Sequence, residues 1–595
     1  MDRFGGKVTS ANLQEPERVT RETSCFRIER TESFSANIEG SRSNLWIACG
    51  IFLVVLGIYS LSSPGRIDII DGQARFDVAY NWLVTGRPIM RDNLIGPLMS
   101  VPGRHGLHYS YYGAPASIFA MPLVWLGLYT SAPAIQPSQF LFSLTSAIIG
   151  AGIAPILFLF YLELGVTRRK AFAWTMVSSF ATLVWPSSTS TFDNAQHAFF
   201  ALAAVYFGFL SARRKSFRFA VLGGLMGGIL ILYQEYFLLI IPALALSTLD
   251  WEFEDSSENL LLGTKSKPIV PRVVLTTKGA THRVMAWVRT ARQGPGEARS
   301  SCVRYCLFLT AVALGVILSL AYNNLRFGSW LHDGKVTFAA ERNYTLLGNP
   351  VAGLLTLLVS PGKSVLLYSP PLILGFLGIA KLRRRNPGLV TVIAAASVIL
   401  VLFISCISFA GGDWCWGPRY LTPLLPLWAL AMPFAVGFKL RRDLALAIIG
   451  VGFLVQILAL SVENQRFFFA RGLNDFFWAE DRWFYLKHSA LLARVTETAS
   501  LKDGAPATAD LFSSTPLLAT YAPLGPPPAV PRNMTPVWIR HFQIFYLPRP
   551  WPLWMSYLPP ARRPIPVGPW LAGLLGLTAL GTGLICHGFR EGKFQ

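Results

Sequence analysis

The chain has 595 residues, 52% of them hydrophobic and only 14% charged, with a formal net charge of +21. Its mean hydropathy is +0.43. A soluble protein carries about 25% charged residues, so this composition excludes an ordinary soluble enzyme. Apolar runs of roughly 17 to 24 residues recur, each long enough to cross a bilayer as a helix. The expected class is an all-α polytopic membrane protein. The positive charge is read as the Lys/Arg bias of cytoplasmic loops, because no nucleic-acid motif accompanies it. The seven cysteines show no zinc spacing.

In chain order, residues 1–44 form a polar tail expected in the cytoplasm, without a cleavable signal peptide, and the run 45–63 stays as the first anchor. Residues 64–138 form a polar first outer loop. Within it, the apolar stretch 114–129 is expected to lie along the outer surface rather than to cross. Spans follow at 139–164, 171–185, 197–210, 219–232, 236–249, 305–322, 364–380, 389–409, 421–438, 444–462 and 569–587, about twelve in all. This arrangement puts Arg168-Arg169-Lys170, Arg213-Arg214-Lys215, Lys381 to Arg385 and Lys439/Arg441/Arg442 on one side, as the positive-inside bias asks; letting 114–129 cross would put most of them outside. Both termini are then cytoplasmic. A flexible cytoplasmic loop covers 250–301. An outer Pro/aromatic-rich segment covers 463–568, with Trp478, Trp483, Trp538, Trp551 and Trp554 as expected interface anchors. Residues 569–595 hold the last span and a short cytoplasmic tail, and 45–462 is the expected catalytic domain.

The spans hold almost no ionisable residues, unlike those of an ion carrier. The unusual polar residues gather in the outer loops. Arg66, Arg75, Arg87, Arg91, Arg104, Arg326, Lys335, Lys363 and Arg419 are basic where the orientation rule disfavours it, and an anionic group such as a phosphate would explain them. Asp71 opens an amphipathic helix with Phe76, Ala79 and Leu83 on one face and Arg75 one turn from the acid. Asp71 could instead be that helix's N-cap, with Gly86 closing the other end. Asp193 precedes the span at 197–210 beside Asn194, Gln196 and His197, and capping is again the alternative. Two acids on one rim suit a proton taken from an attacking hydroxyl, with the second acid as helper. Glu235 lies in a turn at the same surface. Tyr322 to Gly328, Ser360-Pro361-Gly362-Lys363, Tyr368-Ser369-Pro370-Pro371 and Gly411 to Tyr420 complete the set, and Lys363 and Arg419 are expected to face the outer headgroup zone.

The order of these motifs resembles that of the GT-C membrane glycosyltransferases, in the branch of protein mannosyltransferases and aminoarabinose transferases. Asp71-Gly72-Gln73-Ala74-Arg75-Phe76 and then Thr85-Gly86 are similar to that family's first-loop motif, with Gly72 in place of a second acid and Phe76 in place of a Tyr. The stretch His108 to Pro115 is similar to the end of that loop, and Asp193 matches the acid of the second outer loop. The resemblance covers about 45–462. It implies a GT-C-like bundle that moves a sugar, hexosyl or pentosyl, from a polyprenyl-phosphate donor to a glycan, lipid or protein acceptor on the outer face, with inversion. By that analogy Asp71 is the general base or orients the acceptor hydroxyl, and Asp193 is its helper. Lys363 and Arg419, with Arg326 and His105, hold the leaving phosphate. Arg75, Tyr111, Tyr112, Asn194 and Glu235 position substrate. The missing second acid weakens a metal inference, and use of a divalent cation is left open. The alternative from another class is a multi-span transporter or lipid flippase, which would be expected to show two similar halves.

Overall fold

The structure is a computed structural model, and it describes residues 42–90, 99–131, 136–250, 295–341, 345–412, 414–435, 442–464, 467, 483–499, 548–557, 560 and 563–591. Seven helices among them are long and apolar enough to cross a membrane: α1 (Arg42–Ser62), then, after α2 (Ile70–Thr85) and α3 (Pro115–Ser131), α4 (Gln136–Glu163), and further on Asn194–Arg213, Arg299–Phe327, Pro387–Ser405, Arg442–Ser461 and Val567–Glu591. The other expected spans are present as shorter or interrupted helices. Arg168–Phe180 is α5, Asn194–Arg213 is α6 and the apolar Phe217–Tyr233 is α7. The stretch 236–249 and the described part of the next, 421–435, are runs of short helical turns, Glu235–Leu239, Ile241–Ala245 and Leu246–Thr248 in the first and Arg419–Leu424, Leu425–Ala429 and Met432–Phe434 in the second. Pro242, Pro423, Pro426 and Pro433 explain the interruptions, because each removes a backbone donor and crowds the preceding turn.

The Tyr368-Ser369-Pro370-Pro371 run breaks the helix as its prolines suggest, between Val365–Tyr368 and Leu372–Arg385. The groups so freed find partners: Ser369 Oγ accepts from the Leu183 amide at 2.8 Å, and Gln456 Nε2 donates to the Tyr368 carbonyl at 2.9 Å. An irregular backbone within a helical bundle survives where neighbouring helices supply such partners.

α6 is the most enclosed of the seven long helices, with 83% of its apolar window buried against 11% for Val567–Glu591. Its 20 residues make it about 30 Å long, and its two ends differ in chemistry. At the C-terminal end Arg213 and Arg214 pair with Glu163 at 3.1 and 2.8 Å, and Lys215 with Asp250 at 3.0 Å. Asp193 sits at the other end. Arg213, Arg214 and Lys215 thus lie at one end of α6 and Asp193 at the other. α1 packs on Val567–Glu591 backbone to backbone: a Cβ at Gly50 would lie 2.5 Å from the Gly581 carbonyl oxygen. Ser43 Oγ donates to the Gly588 carbonyl at 3.0 Å, which brings the start of the first long helix beside the end of the last.

The described parts of 463–568 are packed into the protein. Trp551 and Trp554 are fully buried, and their indole N–H groups donate to the Ser60 and Pro64 carbonyls at 2.9 and 2.6 Å. Trp483 is buried over the Lys363 ammonium, 4.5 Å from it. This corrects the expectation of interface anchors. An indole can satisfy its one donor inside a protein when a carbonyl near a helix end is within reach, as those of Ser60 and Pro64 are at the end of α1. Trp478 and Trp538 lie outside the described residues.

Candidate active site

The polar stretch that follows α1 is organised by α2. Gly86 closes it in the left-handed conformation, φ 72°, as expected. Asp71 lies in the first turn and is not the cap: the N-cap is Ile69, with no side-chain bond. The Asp71 carboxylate points away from its own helix, to Arg419 Nη1 at 3.1 Å, and the two side chains are 13% and 11% exposed. Arg419 Nη2 donates to the Tyr420 hydroxyl at 3.0 Å, and the guanidinium lies 4.0 Å from the Phe192 ring. The pair is thus held flat against an aromatic face while its edge still reaches solvent.

One turn along α2, Arg75 donates to Asp193 Oδ2 at 2.8 Å and stacks 4.2 Å over the Tyr112 ring. Asp193 occupies the N-cap position of α6 but makes no capping bond. His197 Nε2 lies 3.4 Å from the same oxygen. Burial alone would raise the Asp193 carboxyl, but Arg75 and His197 outweigh it and hold the group well below the ordinary carboxylate range. Burial and the Asp71 charge push the Tyr112 phenol well above its ordinary value, so it is a neutral hydroxyl. Its oxygen accepts from Tyr111 at 3.2 Å. Asp71, Arg75, Tyr111, Tyr112, Asp193 and Arg419, from four separate stretches of sequence, therefore converge.

Gly72 explains the close fit. A Cβ there would come within 2.2 Å of Thr191 Oγ1 and 2.6 Å of Thr191 Cβ. The second acid common in the resembling family has no room at this position, because α2 lies directly on the turn before Asp193.

Of the other expected residues, Lys363, Arg326 and Glu235 have protein partners and His105 is exposed. Lys363 is 1% exposed, and its ammonium donates to the Cys415 and Gly417 carbonyls at 2.8 and 3.3 Å. It ties down the 411–417 loop instead of facing the headgroup zone. Of that loop, Asp413 lies outside the described residues. Arg326 is equally buried, donating to the Ser110 and Tyr112 carbonyls and to Asn323 Oδ1, so it staples the small β-hairpin of Ser100–Pro102 and His108–Ser110 to the end of Arg299–Phe327. Both were expected to hold phosphate at the rim; the backbone carbonyls left over by these irregular loops claim their protons first. His105 is exposed at the hairpin tip with φ 62°. Glu235 pairs with Lys335.

Sequence reasoning passed over Asp68, Glu463 and Arg549. Asp68 accepts from Ser190 Oγ and from the Thr191 amide, each at 2.9 Å. Arg549 Nη2 lies 3.4 Å from Asp68, and its Nε 3.5 Å from Glu463, which also meets Arg66 at 3.0 Å. Arg549 further donates to the Thr189 hydroxyl and carbonyl at 2.9 and 2.8 Å. Asp68, three residues before Asp71, was the one signal available. Arg549 comes from the Pro-rich segment, where nothing local marks it. A narrow cleft runs between these groups, lined by Asp68, Asn194, Trp414, Trp416, Arg419, Glu463 and Arg549 among others. Among the described residues no three His, Cys, Asp or Glu converge as cation ligands. The acids at the cleft each face a guanidinium, an arrangement that does not suit a divalent cation.

No protein-family model matches the chain, and no curated protein does. The chain is similar to ArnT from Cupriavidus metallidurans. That solved structure, bound to undecaprenyl phosphate, aligns at a TM-score of 0.44 and 12% identity, over 86% of this chain and 77% of ArnT. Its apo form aligns at 0.42 and 13%, over 85% and 75%. The oligosaccharyltransferase of Archaeoglobus fulgidus, in complex with zinc and sulfate, aligns at 0.36 and 12%, over 83% of this chain and 61% of that one.

Proposed function

We propose that the protein is an integral-membrane glycosyltransferase that moves a sugar from a polyprenyl-phosphate donor to an acceptor hydroxyl on the extracytoplasmic face of the cytoplasmic membrane, with inversion. The observation that carries the reading is the Asp71–Arg419 pair, a carboxylate and a guanidinium held together at the edge of a cleft. The reaction needs one group of each kind. Arg419 takes the donor phosphate, for which a guanidinium is well shaped. Asp71, released by that exchange, takes the proton of the acceptor hydroxyl. The acceptor oxygen then bonds to the anomeric carbon from the face opposite the phosphate. The carbon–oxygen bond to phosphate breaks, and its electron pair leaves with the polyprenyl phosphate. Charge grows on the phosphate in that step, and a cation already in place stabilises it.

Asp193 assists at one remove: it fixes Arg75, which holds Tyr112 and the first turns of α2 in position. The clustering of basic residues at the far end of α6 supports an orientation with that end, and both termini, in the cytoplasm. α3 keeps an apolar outer face, with Trp125 and Tyr129 exposed, which suits a helix lying in the outer interface.

The test is consumption of polyprenyl-phosphate sugars by membranes carrying the protein, compared with membranes carrying Asp71→Asn. Release of sugar-free polyprenyl phosphate that depends on Asp71 is the expected result. Consumption that is the same in both, or absent from both, removes the assignment.

A further inference from the structure

Arg549 is 3% exposed and comes from a part of the chain that carries none of the reacting groups. The short segment 548–557 that holds it is stitched to the bundle. The Arg549 amide donates to the Ser461 carbonyl at 3.0 Å, and the Trp551 amide to the Ser63 carbonyl at 2.9 Å. Trp551 and Trp554 are fully buried beside it, and a Cβ at Gly65 would lie 2.4 Å from Trp551 Cβ. Paired backbone groups and two buried indoles hold this segment in one place, so the Arg549 guanidinium is presented from a fixed support.

That guanidinium joins two other segments. Nη1 donates to Thr189 Oγ1 at 2.9 Å and Nη2 to the Thr189 carbonyl at 2.8 Å, while Nη2 also lies 3.4 Å from Asp68. Asp68 closes the triangle by accepting from Ser190 Oγ and the Thr191 amide. Each segment leads straight into the reacting pair. Asp68 stands just before α2, which carries Asp71 and Arg75. Thr189 stands just before Phe192, whose ring lies 4.0 Å from the Arg419 guanidinium, and Asp193, which holds Arg75 at 2.8 Å. The run 189–193 therefore has two sides. Thr189, Ser190 and Thr191 are fastened to Arg549 and Asp68, and Phe192 and Asp193 meet Arg419 and Arg75.

From this geometry we infer that Arg549 is a positioning residue for the transfer. It locks the entry to α2 against the turn before α6, and so fixes Phe192 beneath Arg419 and Asp193 on Arg75. A side chain that only neutralised Asp68 and Glu463 would be replaceable by another cation. One that sets the spacing of two segments needs the planar fork, whose several donors reach both at once in a fixed geometry. The inference rests on the transferase reading above. It gives a task to a segment that lies beyond the expected catalytic domain, 45–462.

The purified full chain in lipid nanodiscs is titrated with sugar-free polyprenyl phosphate, and Kd is referred to the folded fraction. Arg549→Lys keeps the charge that the buried acids require and loses the fork. It is expected to raise Kd about tenfold, the size of a lost cation–π support for Arg419. Phe192→Leu is expected to do the same. The double variant is expected to be within about twofold of either single variant, because both disturb one contact. Wild-type affinity in Arg549→Lys, or effects that multiply in the double variant, overturn the inference. If Arg549→Lys yields no folded protein, Thr189→Val decides, since it removes one acceptor and keeps shape and charge. About threefold weakening is expected there, and wild-type affinity overturns the inference. Arg419→Gln separates the two levels. Binding unchanged in that variant overturns the transferase reading, whereas binding lost in Arg419→Gln and intact in Arg549→Lys overturns the positioning role alone.

Discussion

Asp71→Asn separates catalysis from folding because the two consequences differ in size. The substitution keeps the shape of the side chain and removes its charge. In the folded protein the loss falls on one ion pair, 3.1 Å long and partly exposed. At an effective dielectric of about 20 the gross attraction of two charges some 4 Å apart is about 4 kcal/mol, but solvent screening and the cost of ordering reduce exposed pairs to about 1 kcal/mol or less. Arg419 also keeps the Tyr420 hydroxyl and the Phe192 face in the variant. The Asp71–Arg419 pair is less exposed than such surface pairs, 11–13%, so the expected cost to stability is about 1 to 3 kcal/mol. The catalytic loss is larger, since general-base catalysis contributes about 10²- to 10⁴-fold, or roughly 3 to 5 kcal/mol of barrier. Sugar transfer in membranes and thermal unfolding in detergent, measured on the same preparation, decide the matter. A melting temperature within a few degrees of wild type and a rate lower by at least about a hundredfold are expected. Wild-type transfer with a normal melting temperature would refute the role of Asp71. Loss of transfer in step with loss of folded protein would reduce the pair to a structural contact.

Gly72→Ala forces a Cβ to within 2.2 Å of Thr191 Oγ1, so it should destabilise the protein by about 1 to 3 kcal/mol and lower transfer by displacing α2; an unchanged melting temperature would show that α2 does not lie on that turn. Lys363→Met leaves the Cys415 and Gly417 carbonyls without their donor, which should cost about 1 to 3 kcal/mol each and lower the melting temperature while the donor KM of the folded fraction stays near wild type. A KM raised tenfold at an unchanged melting temperature would instead put Lys363 on the donor. Asp193 is held below the ordinary carboxylate range by Arg75 and His197, so its stabilising contribution is complete above about pH 4 and is lost as the pH falls further. The gap in melting temperature between wild type and Asp193→Asn should therefore narrow in acid, and a gap that widens would contradict the ion pair.

Much of the bundle was legible because periodicity and hydropathy act locally. Every expected span has a helical counterpart, and the interruptions at Pro242, Pro423, Pro426 and Pro433 are themselves written in the chain. Asp71 and Asp193 stood out as acids just outside spans, and the fold brings both into one cluster through Arg75 and Arg419. The basic residues were less legible. Arg326 and Lys363 looked like rim cations by position, yet each is drawn inward by carbonyls of irregular loops, and no sequence pattern reports which carbonyls a fold leaves unpaired. Asp68, Glu463 and Arg549 meet across 481 residues of chain between the first and the last. Such a contact follows from how the outer segment folds back, which hydrophobic periodicity does not encode. Gly72 read as a lost acid and proves to be a point of close approach.

A structure of the purified protein with sugar-free polyprenyl phosphate, determined by electron microscopy, tests the central claim most directly. The account predicts phosphate oxygens within hydrogen-bonding distance of the Arg419 guanidinium, with the Asp71 carboxylate turned free of it toward the cleft. Phosphate bound at the basic end of α6, or lodged elsewhere with the Asp71–Arg419 pair intact, would contradict it.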